Sequence, residues 1–139
     1  MERPNYFRAA VCGLIATYIM SVAGQWGVSV GLPRMDPGKL MAFSFGQSPL
    51  WLGEAAHFAN GLILGMMYAR WEDKIPGDNV WLKGVSVGVI TTIGAMIVSG
   101  TVTPRPFFKP LVPMIASILL HLVFGIALAY AYSREGEKA

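Results

Sequence analysis

Hydrophobic residues occur in four long runs along the chain, separated by short segments that carry most of the charges. The runs cover residues 9–31, 51–69, 84–103 and 111–132, and each is close to the ~20 residues that a helix needs to cross a bilayer. A backbone inside lipid must satisfy its own hydrogen bonds, and no period-two alternation indicates barrel strands. The pattern therefore predicts an all-α integral membrane protein, with residues 1–139 forming a single four-helix transmembrane domain.

Composition supports lipid as the solvent of these runs. Hydrophobic residues make up 54% of the chain and charged residues 14%, which is far from the balance of a soluble domain. The formal net charge is only +3, and the charged residues lie near the ends of the runs, so nucleic-acid binding is not expected. The single cysteine, Cys12, lies within an apolar run, which excludes a disulfide framework.

The second and fourth runs repeat one another. Histidine, glycine, leucine, tyrosine and arginine recur at the same spacing in HFANGLILGMMYAR (57–70) and HLVFGIALAYAYSR (121–134). The first and third runs share the related segments GLIAT and GVITT. We therefore predict two tandem helical hairpins, about 8–70 and 83–134, related by a pseudo-two-fold axis along the membrane normal. Small residues at four-residue spacing in the first and third helices are expected to pack against neighbouring helices.

The first run also has features of a signal peptide, because Arg3 and Arg8 precede it and Ser21-Val22-Ala23 forms a cleavage-like site. Its match to the third run favours a retained span instead. Lys and Arg number seven on the side that holds both ends of the chain and the 70–83 loop, against four on the other side. Because positive residues accumulate in cytoplasmic loops, both termini are expected in the cytoplasm.

Several short motifs resemble those of a family of small, four-span bacterial membrane proteins of unknown function. The motifs are GLIAT at 13–17, GLPRMD at 31–36, His57 with Gly61 and Tyr68, and His121 with Gly125. The resemblance extends over nearly the whole chain and implies a multi-pass protein of the bacterial inner (cytoplasmic) membrane. No activity is attached to the family. Glu54 is not part of the pattern, so a role for it would be peculiar to this protein.

His57 and His121 are the principal candidate site residues. Ionisable residues inside a membrane usually face the bundle interior, where they are paired or functional. Two imidazoles at the same depth could ligate the iron of one haem b, and Gly61 and Gly125, one turn away, would leave room for the macrocycle. Alternatively, each histidine hydrogen-bonds a neighbouring helix and stabilises the bundle.

A single metal ion is a further possibility. Glu54 and His57 are three residues apart and so share one helix face. Together with His121 they could form a mononuclear site suited to copper or zinc. Metal-binding four-helix bundles use the same Glu-x-x-His pairing but need more carboxylates, and Ile118 occupies the equivalent position in the fourth run.

The sequence contains no nucleophile–base pair, phosphate-binding glycine loop or catalytic carboxylate pair, so an independent enzyme is not expected. We expect a small integral subunit or accessory protein of a larger respiratory or photosynthetic membrane complex, with lipid and other membrane subunits as its partners. A bis-histidine haem protein for electron transfer and a small-solute transporter are the alternatives. Against transport, proline falls within the runs only near an end, at Pro113, so broken helices are not indicated.

Overall fold

Helices make up the regular structure of the described chain, and no strand occurs in it. The structure is a computed structural model that describes residues 4–102 and 111–133. Its helices are α1 (Tyr6–Trp26), α2 (Pro37–Ser44), α3 (Leu50–Trp71), α4 (Val80–Val102) and α5 (Leu111–Tyr132). Short 3₁₀ turns, Gly27–Val30 and Glu72–Lys74, follow α1 and α3. The all-α class expected from the sequence is confirmed.

Three helices of the described chain, not four, are long and apolar enough to cross a membrane. They are Tyr6–Val30, Val80–Val98 and Leu111–Tyr132. By length and hydropathy the structure therefore supports three of the four predicted spans, and α3, which covers the second run, does not meet this criterion. With 22 residues, α3 is long enough, but Glu54, His57 and Asn60 lower its mean hydropathy.

The helix boundaries differ from the predicted runs at several points. The 9–31 run is α1 followed by a 3₁₀ turn, and α4 begins at Val80 rather than at residue 84. The short helix α2 was not predicted from the sequence. It begins after Asp36, whose side chain accepts a hydrogen bond from the Lys39 amide at 3.0 Å. The proline-rich connection around residues 104–110 and the arginine of the second repeat, Arg134, lie outside the described residues.

The long helices pack as an antiparallel bundle in the order α3, α1, α5, α4, with α2 against α3. Along the α1–α3 contact, Gly65 lies beside Ala9 and Gly61 beside Thr17, so the two helices run in opposite directions. The start of α1, the end of α3, the start of α4 and the end of α5 consequently lie together at one end of the bundle. We call this the basal end, and the opposite end, which carries α2, the distal end.

Glycines bring the helices of each hairpin into backbone contact. A Cβ atom on Gly13 would meet the carbonyl of Gly61, and one on Gly88 would lie 2.7 Å from the Cα atom of Leu122. Gly125 in turn lies against the backbone of Gly88. Lipid provides no hydrophobic drive between helices, so close packing of this kind is a main source of association. The expected packing role of the small residues is thus confirmed at Gly13 and Gly88.

Polar contacts join the long helices at the basal end. The Tyr68 hydroxyl donates to Glu72 at 3.4 Å, and Glu72 lies 4.0 Å from the Lys83 ammonium at the start of α4. The rings of Tyr68 and Tyr132 meet edge to face at 5.6 Å. The two tyrosines of the repeat therefore contact each other directly and link α3 to α5.

Candidate functional site

His57 lies on the face of α3 that packs against α1, and its side chain is buried. Its Nε2 atom is 3.3 Å from the Ser21 hydroxyl oxygen of α1. Ser21 already donates its only hydroxyl hydrogen to the Thr17 carbonyl at 2.9 Å, so it must accept from His57. His57 consequently carries a proton on Nε2 and joins α3 to α1 through a hydrogen bond in the bundle interior.

His121 forms its hydrogen bond within its own helix. Its Nδ1 atom lies 2.7 Å from the Ser117 carbonyl oxygen, one turn earlier on α5. A carbonyl accepts only, so Nδ1 is the protonated nitrogen. The Ser117 hydroxyl is more distant, at 3.4 Å. The two histidines of the repeat therefore differ: His57 bridges two helices, whereas the bond of His121 stays within one.

The two histidines lie in the same region of the bundle. Ser21 on α1 faces His57, and Gly24, about one turn later on α1, faces Leu120, which directly precedes His121. The hydrogen bonds described above engage Nε2 of His57 and Nδ1 of His121, so each ring keeps a second nitrogen that a ligand could use.

The space beside the two candidate glycines is occupied by neighbouring helices. Gly61 faces the Thr17 hydroxyl and the Gly13 carbonyl, and Gly125 faces Gly84 and Gly88. In this packing neither glycine adjoins an opening that would admit a flat macrocycle. Their observed role is to let helix backbones approach closely.

Glu54 lies at the contact with α2. A Cβ atom on Gly38 would lie 2.7 Å from the Cγ atom of Glu54, so the glutamate side chain covers the first turn of α2. A carboxylate near a helix N-terminus is favourable, since unpaired amides give that end a partial positive charge. Within the described residues, no group of three or more His, Cys, Asp or Glu side chains could hold a metal ion. Glu54, His57 and His121 are therefore not assembled into a three-ligand site.

Ser21 and Ser117, the hydrogen-bond partners of the two histidines, were not identified from the sequence as site residues. A signal for Ser21 exists, because it follows Thr17 by one turn and so lies on the same face of α1. Identifying it as the partner of His57 requires the register of α1 against α3, which the sequence pattern does not specify. The Ser117 contact involves a backbone carbonyl, so it carries no side-chain signature.

These features define a small all-helical protein with three helices able to cross a membrane and a buried histidine in its interior. A family model described as a family of unknown function, DUF6789, matches residues 4–139. The chain therefore belongs to this family. Neither a curated protein nor a solved structure gave a significant match to the chain.

Proposed function

We propose that the chain is a four-span protein of the bacterial inner membrane that serves as a structural subunit of a larger membrane complex. The outer surface of α4 carries this proposal. Within the described residues α4 packs extensively on α5 alone, and large apolar side chains are exposed along its length: Val85, Val89, Ile90, Ile93, Ile97. Gly94 lies beside Ile90 at one edge of this surface, and a Cβ atom on it would meet no atom of the described residues within 4 Å, which leaves room for the close approach of a second helix.

The bundle interior supports a structural role for the histidines. Among the described residues, no buried side-chain nitrogen or oxygen lacks a hydrogen-bond partner. His57 contributes to this by bonding to Ser21 across the helix contact. Interhelical hydrogen bonds in membranes are worth ~0.6 kcal/mol on average, so this bond acts as one of several packing interactions.

Two observations favour α3 as the fourth span. Trp51 and Trp71 are exposed at its two ends, and their separation of 20 positions corresponds to about 30 Å of helix, the thickness of the hydrocarbon core. Its histidine points to α1 rather than outward. The matching contacts of Gly13 with Gly61 and of Gly88 with Gly125 also support the proposed tandem repeat of two hairpins.

Cysteine labelling tests the topology. In a Cys12→Ala background, single cysteines replace Ser48 before α3, Asp78 after it and Glu137 near the C-terminus. A membrane-impermeant maleimide should label Ser48→Cys in intact cells, whereas Asp78→Cys and Glu137→Cys should react only after the inner membrane is permeabilised. Labelling of Ser48 and Asp78 from the same side would show that α3 does not cross.

Native electrophoresis in mild detergent tests the subunit role. The wild-type protein should migrate in a complex larger than its own monomer, with at least one other membrane protein at a fixed stoichiometry. Gly94→Trp should release it, because a large side chain on the open face of α4 blocks close approach. Ile15→Trp, at an exposed position of α1, is the matched control and should leave the complex intact. Wild-type protein that migrates as a monomer would contradict the proposal.

The same preparation distinguishes the alternative of a bis-histidine haem protein. The second nitrogen on each ring favours this alternative, whereas the filled space beside Gly61 and Gly125 disfavours it. A haem ligated by both histidines must give a reduced-minus-oxidised absorbance that is lost in His121→Ala. A structural histidine pair gives no such signal.

A further inference from the structure

The position of α2 relative to the long helices is set by one glycine of α3. A Cβ atom on Gly53 would meet the Gly38 carbonyl and would lie 2.6 Å from the Ala42 amide nitrogen and 2.7 Å from its Cβ atom. Gly38 and Ala42 are one turn apart on α2, yet both meet this single residue. The backbone of α2 is therefore in close contact with α3 at Gly53.

This contact lies at the level of two exposed tryptophans. Trp51 precedes Gly53 by two residues. On α1, Ser21 lies beside His57, and continuing this antiparallel register by about one turn brings Trp26 next to the start of α3. Trp26 and Trp51 are 75% and 69% exposed. Exposed tryptophans at helix ends mark the boundary between hydrocarbon and headgroups, so α2 lies at that boundary.

The outward face of α2 has the chemistry of that boundary. Gly38 and Ala42 are buried against α3, which turns Lys39 and Phe43, also one turn apart, to the outside. Phe43 is 46% exposed, and Phe45, directly after the helix, is 53% exposed. The Lys39 ammonium is exposed and lies 3.7 Å from Asp36. An aromatic group beside a long cationic side chain suits a surface where acyl chains meet phosphates.

We propose that α2 is an interfacial helix that binds the distal headgroup region of the chain's own bilayer, with Phe43 and Phe45 inserted among the acyl chains and Lys39 directed to lipid phosphate. The inference rests on the proposed membrane location. It adds that the connection between α1 and α3 is held at the membrane surface instead of extending into water. The helix α2 connects the end of α1 to the start of α3, and both of these ends carry a tryptophan of the membrane boundary. This location favours lipid over a protein partner.

Site-directed spin labelling tests the proposal in the full chain, with Cys12→Ala as background and vesicles of phosphatidylcholine and phosphatidylglycerol as the membrane. Labels at Phe43→Cys and Phe45→Cys are compared with two references. The vesicles hold the purified chain without other subunits, so that Ile90→Cys, exposed at the middle of α4, reports the hydrocarbon. Asp78→Cys, exposed in the turn before α4, reports water. Each label is measured for accessibility to oxygen, which concentrates in lipid, and to a water-soluble nickel chelate.

Labels at Phe43 and Phe45 should give an oxygen-to-nickel ratio between those of the two references and nearer to that of Ile90. A nickel accessibility equal to that of Asp78, with Ile90 still protected, would overturn the interfacial helix while leaving the membrane location intact. Low accessibility to both reagents would also overturn it, since that result indicates protein contact. Exposure of Ile90 to nickel would instead refute the membrane location itself.

Discussion

Arg8 at the start of α1 caps the end of α5 through Ser133. Its Nη2 atom donates to the Ser133 carbonyl oxygen at 3.0 Å, and its guanidinium carbon lies 5.5 Å from the centre of the Tyr132 ring. The last carbonyls of a helix have no donor within the helix and carry partial negative charge. The Arg8 side chain therefore supplies a hydrogen-bond donor to a carbonyl at the end of α5 and links α5 to the start of α1.

Replacing Arg8 with methionine should lower the free energy of unfolding by about 1.5–3 kcal/mol, the usual range for a hydrogen bond made by a charged group. Arg8→Lys should retain part of the stability, because lysine keeps the charge but not the planar fork. Reversible unfolding in mixed detergent micelles, followed by circular dichroism, measures the difference. Arg34→Met, at an exposed position beyond α1, is the control. Equal losses in Arg8→Met and Arg34→Met would contradict the capping role.

Two glycines of α4 should respond in opposite ways to the same substitution. Gly88→Ala places a methyl group 2.7 Å from the Leu122 Cα atom, which forces α4 and α5 apart and should cost on the order of 1–3 kcal/mol through overpacking. The methyl group of Gly94→Ala meets no atom of the described residues within 4 Å, so this variant should be neutral or slightly stabilising, since alanine favours helix more than glycine does. Thermal unfolding of both variants in one detergent checks this, and similar melting temperatures would contradict the described packing.

The contact between α2 and α3 gives a local prediction. Gly53→Ala should displace α2, because the new methyl group would overlap the Gly38 carbonyl and the Ala42 backbone. Hydrogen exchange of the α2 amides should become faster, while the amides of α5 keep their protection. Gly94→Ala serves again as the substitution without a clash. Unchanged exchange in α2 would show that the contact at Gly53 does not hold the short helix.

Hydrophobic run length predicted the long helices well, because a helix buried in lipid or protein needs about 20 residues whatever its neighbours are. It overestimated α3 as an apolar span, because Glu54, His57 and Asn60 lower the mean hydropathy of that run. The short helix α2 was missed although Asp36 and Pro37 form a recognisable N-cap and first turn. The eight residues of α2 mix polar and apolar side chains, and such a short segment does not show a clear hydrophobic periodicity.

The candidate site was only partly predictable. The repeat identified His57 and His121 as related positions, but it could not show that their partners differ. Ser21 faces His57, whereas the residue one repeat later on α4 is Met96, which offers no hydroxyl. Whether Gly61 adjoins an open space or a neighbouring backbone depends on the distance between α1 and α3. That distance follows from how the two helices pack and cannot be read from either sequence segment alone. Spacing therefore identified the residues, and contacts determined what they do.

His57 and His121 differ in their hydrogen-bond partners, and this difference leads to a prediction that distinguishes their structural roles. Ser21→Ala removes the acceptor of the His57 Nε2–H group and should destabilise the α1–α3 contact by ~0.5–2 kcal/mol, within the range measured for such bonds in membranes. Ser117→Ala should have little effect, because His121 donates to the backbone carbonyl, which the substitution retains. A double-mutant cycle isolates each pair: Ser21→Ala with His57→Phe, and Ser117→Ala with His121→Phe. Coupling should be measurable in the first cycle and near zero in the second. If the second pair couples as strongly as the first, the Ser117 hydroxyl is the true partner of His121, and the two histidines are equivalent after all.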